Sequence, residues 1–163
     1  MKKITFLALL SVLTLSTIAQ NKFGHINAQE ILLLMPEYKT MNSTLQMSST
    51  LKQTTLKAME GEFQAKYIAY ENEGLTLDAA IRIDRETELQ NMQKRLQDFQ
   101  QNTQNDLLEE EKKLMAPIEE KLLLVITSVA EEGGYIYIFN SQVFYYGSEK
   151  NDVSGLVKKK LGL

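Results

Sequence analysis

Apolar and polar positions along this chain follow two rhythms. Short stretches near both ends follow the two-residue rhythm of strands, and a long polar middle follows the three-and-four rhythm of helices. Phe23–Asn27 is β-prone and short enough for one strand. Asn27 with Glu30 reads as a capping box that opens a short helix over Ala28–Met35, and Pro36 ends or redirects that helix. Helix then resumes at Glu37 or Tyr38 and runs without proline to about Glu73. Its face is marked by Tyr38, Met41 and Leu45, then by Leu56, Met59, Phe63, Tyr67 and Tyr70. The pattern slackens between the two runs, through Ser48–Thr55.

Glu71–Gly74 breaks the periodicity, which places a turn near residues 72–77 with Asp78 as the cap of a returning helix. The return carries Ile81, Leu89, Met92, Leu96, Phe99, Thr103 and Leu107, and its own pattern slackens at Asn102–Asp106. Pro117 lacks a backbone donor and predicts a kink or a fresh start. Ile118–Val129 is more apolar and belongs to a body, with Gly133-Gly134 as its C-cap. Tyr135–Phe139 is the strongest strand signal, and Val143–Tyr146 predicts a second strand after a turn at Asn140-Ser141. Asn151-Asp152 caps a closing helix over Val153–Leu161.

The resulting fold class is α+β: a long antiparallel helical hairpin, a coiled-coil arm, projecting from a small β-containing body. The expected divisions are a leader over 1–19, body over 20–37, arm over 38–116 with its tip near 72–77, and body again over 117–163. The strands are too few to close a core, and unpaired strand edges invite pairing with another chain. The β elements are therefore expected to pair across subunits, with Phe23, Ile26, Ile136, Ile138, Val143 and Tyr145 carrying the association.

Composition adds an address. Lys2 and Lys3 precede an apolar run over Ile4–Leu15, and Thr17-Ile18-Ala19 offers small residues before a cut at Gln20. That is the pattern of a cleavable secretory signal, and the run is shorter than the ~20 residues that span a bilayer. Without Lys2 and Lys3, 16 basic residues face 21 acidic ones, so the remaining chain is near −5. An acidic balance argues against nucleic acid as a partner. The chain has no cysteine, so an exported form holds together by packing or association instead of disulfides.

Candidate chemistry is sparse. His25 is the single histidine and has no acidic neighbour in sequence, which leaves no Ser–His or Cys–His pair and no zinc-ligand spacing. Glu109-Glu110-Glu111 with Lys112-Lys113, and Asp84, Arg85, Glu86 and Glu88, read as solvated helix faces with ion pairs. No catalytic residue, metal ligand or cofactor is assigned, and the chain does not read as an enzyme. The arm does carry adaptable thioether and aromatic surface, and Met47, Met59, Phe63, Tyr67, Tyr70, Met92 and Phe99 are the candidate client-binding residues. Most of these are expected in the seam between the helices, with Met47, Tyr67 and Tyr70 left partly exposed.

The order of these elements resembles the Skp/OmpH family of periplasmic chaperones for outer-membrane proteins. The resemblance rests on Gly24–Ile31 leading to Met35-Pro36-Glu37, on Pro117-Ile118, on Val129–Tyr135, and on Asn151–Ser154. It implies a homotrimer in the periplasm whose helical arms surround a cavity and hold unfolded outer-membrane or envelope proteins without ATP. One departure stands out: Glu62–Glu88 holds seven acidic residues against three basic ones, so attraction of the tip to anionic lipid is not favoured. A different class of protein, a coiled-coil spacer or adaptor of the cell envelope with one fixed partner, is the alternative. Steady heptads would favour the spacer, and the interruptions at Ser48–Thr55 and Asn102–Asp106 weigh against it.

Overall fold

The computed structural model describes residues 21–74 and 76–163. The leader read over 1–19 lies outside the described residues. Strand β1 (Lys22–Ile26) is followed by helices α1 (Ala28–Leu34), α2 (Pro36–Glu73) and α3 (Ala79–Gly133). Strand β2 (Tyr135–Asn140) and helix α4 (Ser154–Leu161) complete the chain, with single 3-10 turns at Ser141–Val143 and Glu149–Asn151 between them. The chain divides into two compact units: one runs to Ile31 and resumes over Leu123–Leu163, and the other is Leu32–Leu122.

In the first unit, β1 and β2 form a two-stranded parallel sheet within one chain. Parallel strands need a long crossover, and α1 to α3 supply it. The strand expected over Val143–Tyr146 is absent: Val143 closes a 3-10 turn, and Phe144–Ser148 runs without ladder pairing. Asn140 takes the cap role there, accepting from the Gln142 N–H at 3.3 Å, so the chain turns before a return strand can form. The other side of β1 instead meets the chain through a bridge from His25 to Asp152.

A bulge between Lys22 and Phe23 sets the phase of β2. Tyr135 and Ile138 are both half-buried although an odd number of residues separates them, and Ile136 and Tyr137 are both exposed. A bulge is what permits that, because it slips the alternation by one position. Gly24 lies where a Cβ would come within 3.1 Å of the Tyr135 ring and 3.3 Å of Val153, so its lack of a side chain lets strand and ring approach. Ile26, Ile31, Val129, Val153 and Val157 are buried in this unit. The caps knit it further. Asn27 Oδ1 accepts from the Glu30 N–H at 3.1 Å as the sequence implies, but the Asn27 N–H goes to Ser154 Oγ at 3.1 Å. The Glu30 carboxylate accepts from the Asn27 side-chain amide at 3.5 Å and also pairs with Lys158. Asp152 Oδ1 accepts from the Ser154 N–H at 2.7 Å and caps α4. Gly134, at φ +66°, ends α3 in the left-handed conformation that favours glycine.

The second unit is the antiparallel pair of α2 and the first part of α3. Asp78 caps α3, its Oδ1 accepting from the Ala80 N–H at 2.8 Å, as its position after the turn implies. The helix is continuous through Pro117, so of the predicted kink or restart the restart does not occur. The Pro117 ring is exposed, while Ile118 and Leu122 on the next turn are buried. Their packing offsets a missing hydrogen bond that costs about 3 kcal/mol in an isolated helix.

Candidate functional site

The surface of the helical pair is the candidate site. Near its proline-flanked end the seam is apolar, with Met35, Met41, Ile118 and Leu122 buried. Further along α2 it changes character. Ser48 Oγ donates to Glu110 Oε2 at 2.7 Å, and Lys52 Nζ to Asp106 Oδ2 at 2.9 Å. The two stretches where the sequence pattern slackens therefore lie alongside each other, joined by polar contacts in which Ser48 and Glu110 are part-buried and Asp106 is exposed. Beyond them the seam is apolar again, with Met92 buried and Leu56, Met59, Phe63, Leu89, Leu96 and Phe99 half-buried. Lys66 then pairs with Glu88, and Tyr70 donates to Glu86.

Of the carboxylates named in the sequence, Glu86, Glu88 and Glu110 thus crosslink the two helices. The Lys66 hydrogen bond holds Glu88 below the usual carboxylate range, and the Lys121 hydrogen bond does the same for Glu37. Hydrogen bonds to Glu71 and Glu86 push the Tyr67 and Tyr70 phenols up. His25 Nε2 lies 3.0 Å from the Ser148 carbonyl, and its ring meets Phe144 edge-on at 5.3 Å, so it holds a loop in place. Among the described residues, no group of His, Asp or Glu is placed to hold a metal ion, and no helix is long and apolar enough to cross a membrane.

The structure separates the candidate client residues. Met47, 65% exposed, and Tyr67 face solvent as expected. Met59, Phe63, Tyr70 and Phe99 are half-buried. Met92, only 8% exposed, is a seam residue and offers no free surface, a correction to its assignment. Leu51, Ile68, Ile81, Ile83 and Leu108 are exposed and were missed. The signal was available for some of them, since Met47, Leu51 and Ile68 fall out of phase with the Leu56–Met59–Phe63 face. Of the candidate association residues, Phe23, Ile136, Val143 and Tyr145 are exposed and Ile138 is half-buried. Ile26 is 3% exposed and belongs to the core of its own unit, which removes it from any interface. Sequence reasoning missed Tyr137 and Phe139, which stand exposed beside Phe23. Phe23 stacks on Tyr137 at 6.1 Å, and Tyr137 on Phe139 at 5.8 Å, so one sheet face is an aromatic row.

A small two-stranded sheet and a long helical pair with polar cross-helix contacts, each with apolar side chains left exposed, fit a protein that works by binding. The chain belongs to the OmpH-like outer membrane protein family, whose description, "Outer membrane protein (OmpH-like)", matches residues 22–161. It is similar to the chaperone protein Skp of Yersinia enterocolitica, 24% identical across 86% of this chain and 85% of that one. It is also similar to the chaperone protein Skp of Photorhabdus luminescens, 26% identical across 86% of each. In three dimensions it matches an OmpH-like outer membrane chaperone of Caulobacter crescentus with a TM-score of 0.77, at 13% identity over 88% of this chain and 85% of that one. The family is one of chaperones, not enzymes.

Proposed function

We propose that this chaperone is an ATP-independent holdase that binds unfolded outer-membrane proteins and keeps them from aggregating. The observation that carries the reading is the set of large apolar side chains left in solvent along α2 and α3: Met47, Leu51, Tyr67, Ile68, Ile81, Ile83 and Leu108. Isolated exposed apolar residues are ordinary, but here they accompany a seam interrupted by polar cross-helix contacts. Many weak, exchangeable contacts suit clients of unrelated sequence, and holding an unfolded chain shifts its equilibrium by mass action without an energy source.

The working unit is a homotrimer whose helical pairs flank a client cavity. The aromatic row of Phe23, Tyr137 and Phe139, with Val143 and Tyr145 nearby in sequence, supports association through the sheet-bearing unit. β2 has one strand partner among the described residues, which leaves its other edge open to pairing. The signal-like sequence pattern over 1–19 and the family relationship support a periplasmic address.

Two measurements test the proposal. An outer-membrane barrel diluted from urea should scatter less light when the protein is present at a threefold subunit excess, and unchanged scattering defeats the holdase reading. Mass measurement in solution should return three copies, and a monomer at micromolar concentration removes the cavity.

A further inference from the structure

The polar-seamed stretch of the hairpin has a groove of about 430 Å³ along one flank. Asn42, Leu45, Gln46 and Ser49 of α2 form one wall, and Gln104, Leu107, Leu108 and Glu111 of α3 form the other. Leu45 and Leu107 are half-buried at its floor, and Leu108 stays 50% exposed at its lip. The Asn42, Gln46 and Gln104 amides are exposed on both walls. The groove is thus apolar below, with donors and acceptors of both kinds above.

From this we infer that the groove is a seat for an extended, β-type segment of a client, with alternate apolar side chains on the leucines and its backbone on the amides. The inference rests on the client-holding reading above and names the conformation held. Spacing supports it. Asn42 and Gln46 are one turn apart, about 6 Å along the axis, close to the ~6.7 Å that separates every second residue of a strand. A side-chain amide carries both donor and acceptor, so each can meet an N–H or C=O that an unfolded strand leaves unpaired. A helical guest satisfies its own backbone and has no use for such a ladder. An apolar guest without backbone groups would leave the amides desolvated and unpaired, at a cost. The wall-to-wall arrangement also accounts for the polar seam: Ser48–Glu110 and Lys52–Asp106 hold the helices together while Leu108 remains outside.

The test uses the full chain and two fluorescent peptides of identical composition, one alternating apolar and polar residues and one arranged with the helical period. Binding is followed by anisotropy, for the natural protein, for Leu108→Asp, and for Leu124→Asp as an exposed control outside both the groove and the client-binding set. The alternating peptide should bind more tightly, Leu108→Asp should weaken it about tenfold, and Leu124→Asp should leave affinity and preference intact. Circular dichroism confirms that both variants keep their helix content, and Gln104→Ala, which removes one amide without adding charge, should reproduce part of the loss. Equal affinity for the two peptides, no detectable binding of either, or equal loss in both aspartate variants overturns the groove. If barrel aggregation is still suppressed in that case, the holdase reading survives and only the groove falls.

Discussion

Met47 and Met92 have the same side chain on the same helical pair, and the structure assigns them opposite work. Met92 is 8% exposed in the seam and Met47 is 65% exposed on α2. Truncating Met92 to alanine removes three heavy atoms from a packed position, a transfer loss of roughly 2 kcal/mol at ~0.8 kcal/mol for each methylene-sized group. The cavity left behind adds to this, but a two-helix seam is open at its flanks and can collapse, so the total should stay near the lower end of the 2–5 kcal/mol range, about 2–3 kcal/mol. For a chain of this size that lowers Tm by roughly 4–12 °C. Met47→Ala should change stability by less than about 0.5 kcal/mol, because its side chain is in water already. The assay is thermal melting by circular dichroism in parallel with barrel-aggregation kinetics. Met92→Ala should melt early and, below its melting range, hold clients as well as the natural protein, whereas Met47→Ala should melt normally and hold them less well. Equal melting shifts for the two variants, or a fully stable Met92→Ala, refute the packing assigned here.

Pro117→Ala should stabilise the protein by about 2 kcal/mol and raise its Tm, since α3 already runs through this position and regains a hydrogen bond, and an unchanged or lowered Tm contradicts an unbroken helix. Gly134→Ala should cost about 1 kcal/mol in denaturant melts, because φ +66° is unfavourable for a side chain, whereas Gly61→Ala, with open space around a helical glycine, should stabilise by up to about 1 kcal/mol. Acid should loosen the crosslinks in a defined direction. Glu37, Glu88 and Glu132 are each held below the usual value of 4.5 by hydrogen bonds from Lys121, Lys66 and Lys160. Their contribution is complete above that value and is lost as pH falls below it through the depressed folded values, so Tm should drop below about pH 4.5 more steeply in the natural protein than in Lys66→Met. A pH-independent difference between the two rejects the Lys66–Glu88 contribution.

Much of the secondary structure was written in local signals. Asn27, Asp78 and Gly134 mark helix ends through interactions that reach only a few residues, so each could be read from its neighbours. The periodic faces of α2 and α3 are equally local, and they indicated where the seam is apolar and where it fails. The strand expected at Val143–Tyr146 shows the limit of this reasoning. Its residues favour a strand, but β propensity expresses a fit to neighbouring strands, and the place beside β1 is taken at His25 by a bridge to Asp152. Pro117 shows the same limit from the other direction, since the propensity of one residue yields to the buried packing of Ile118 and Leu122.

By itself the sequence determined a long helical pair between strand-forming ends and the helix faces from which its seam is built. Tertiary structure decided that β1 and β2 pair in parallel within one chain, that Met92 and Ile26 turn inward, and that the two interruptions in the helical pattern meet each other. The physical reason is range. A helix face and a cap are fixed by contacts within about one turn, whereas burial and strand pairing depend on which distant segment arrives alongside, and the periodicity of either segment alone does not contain that information.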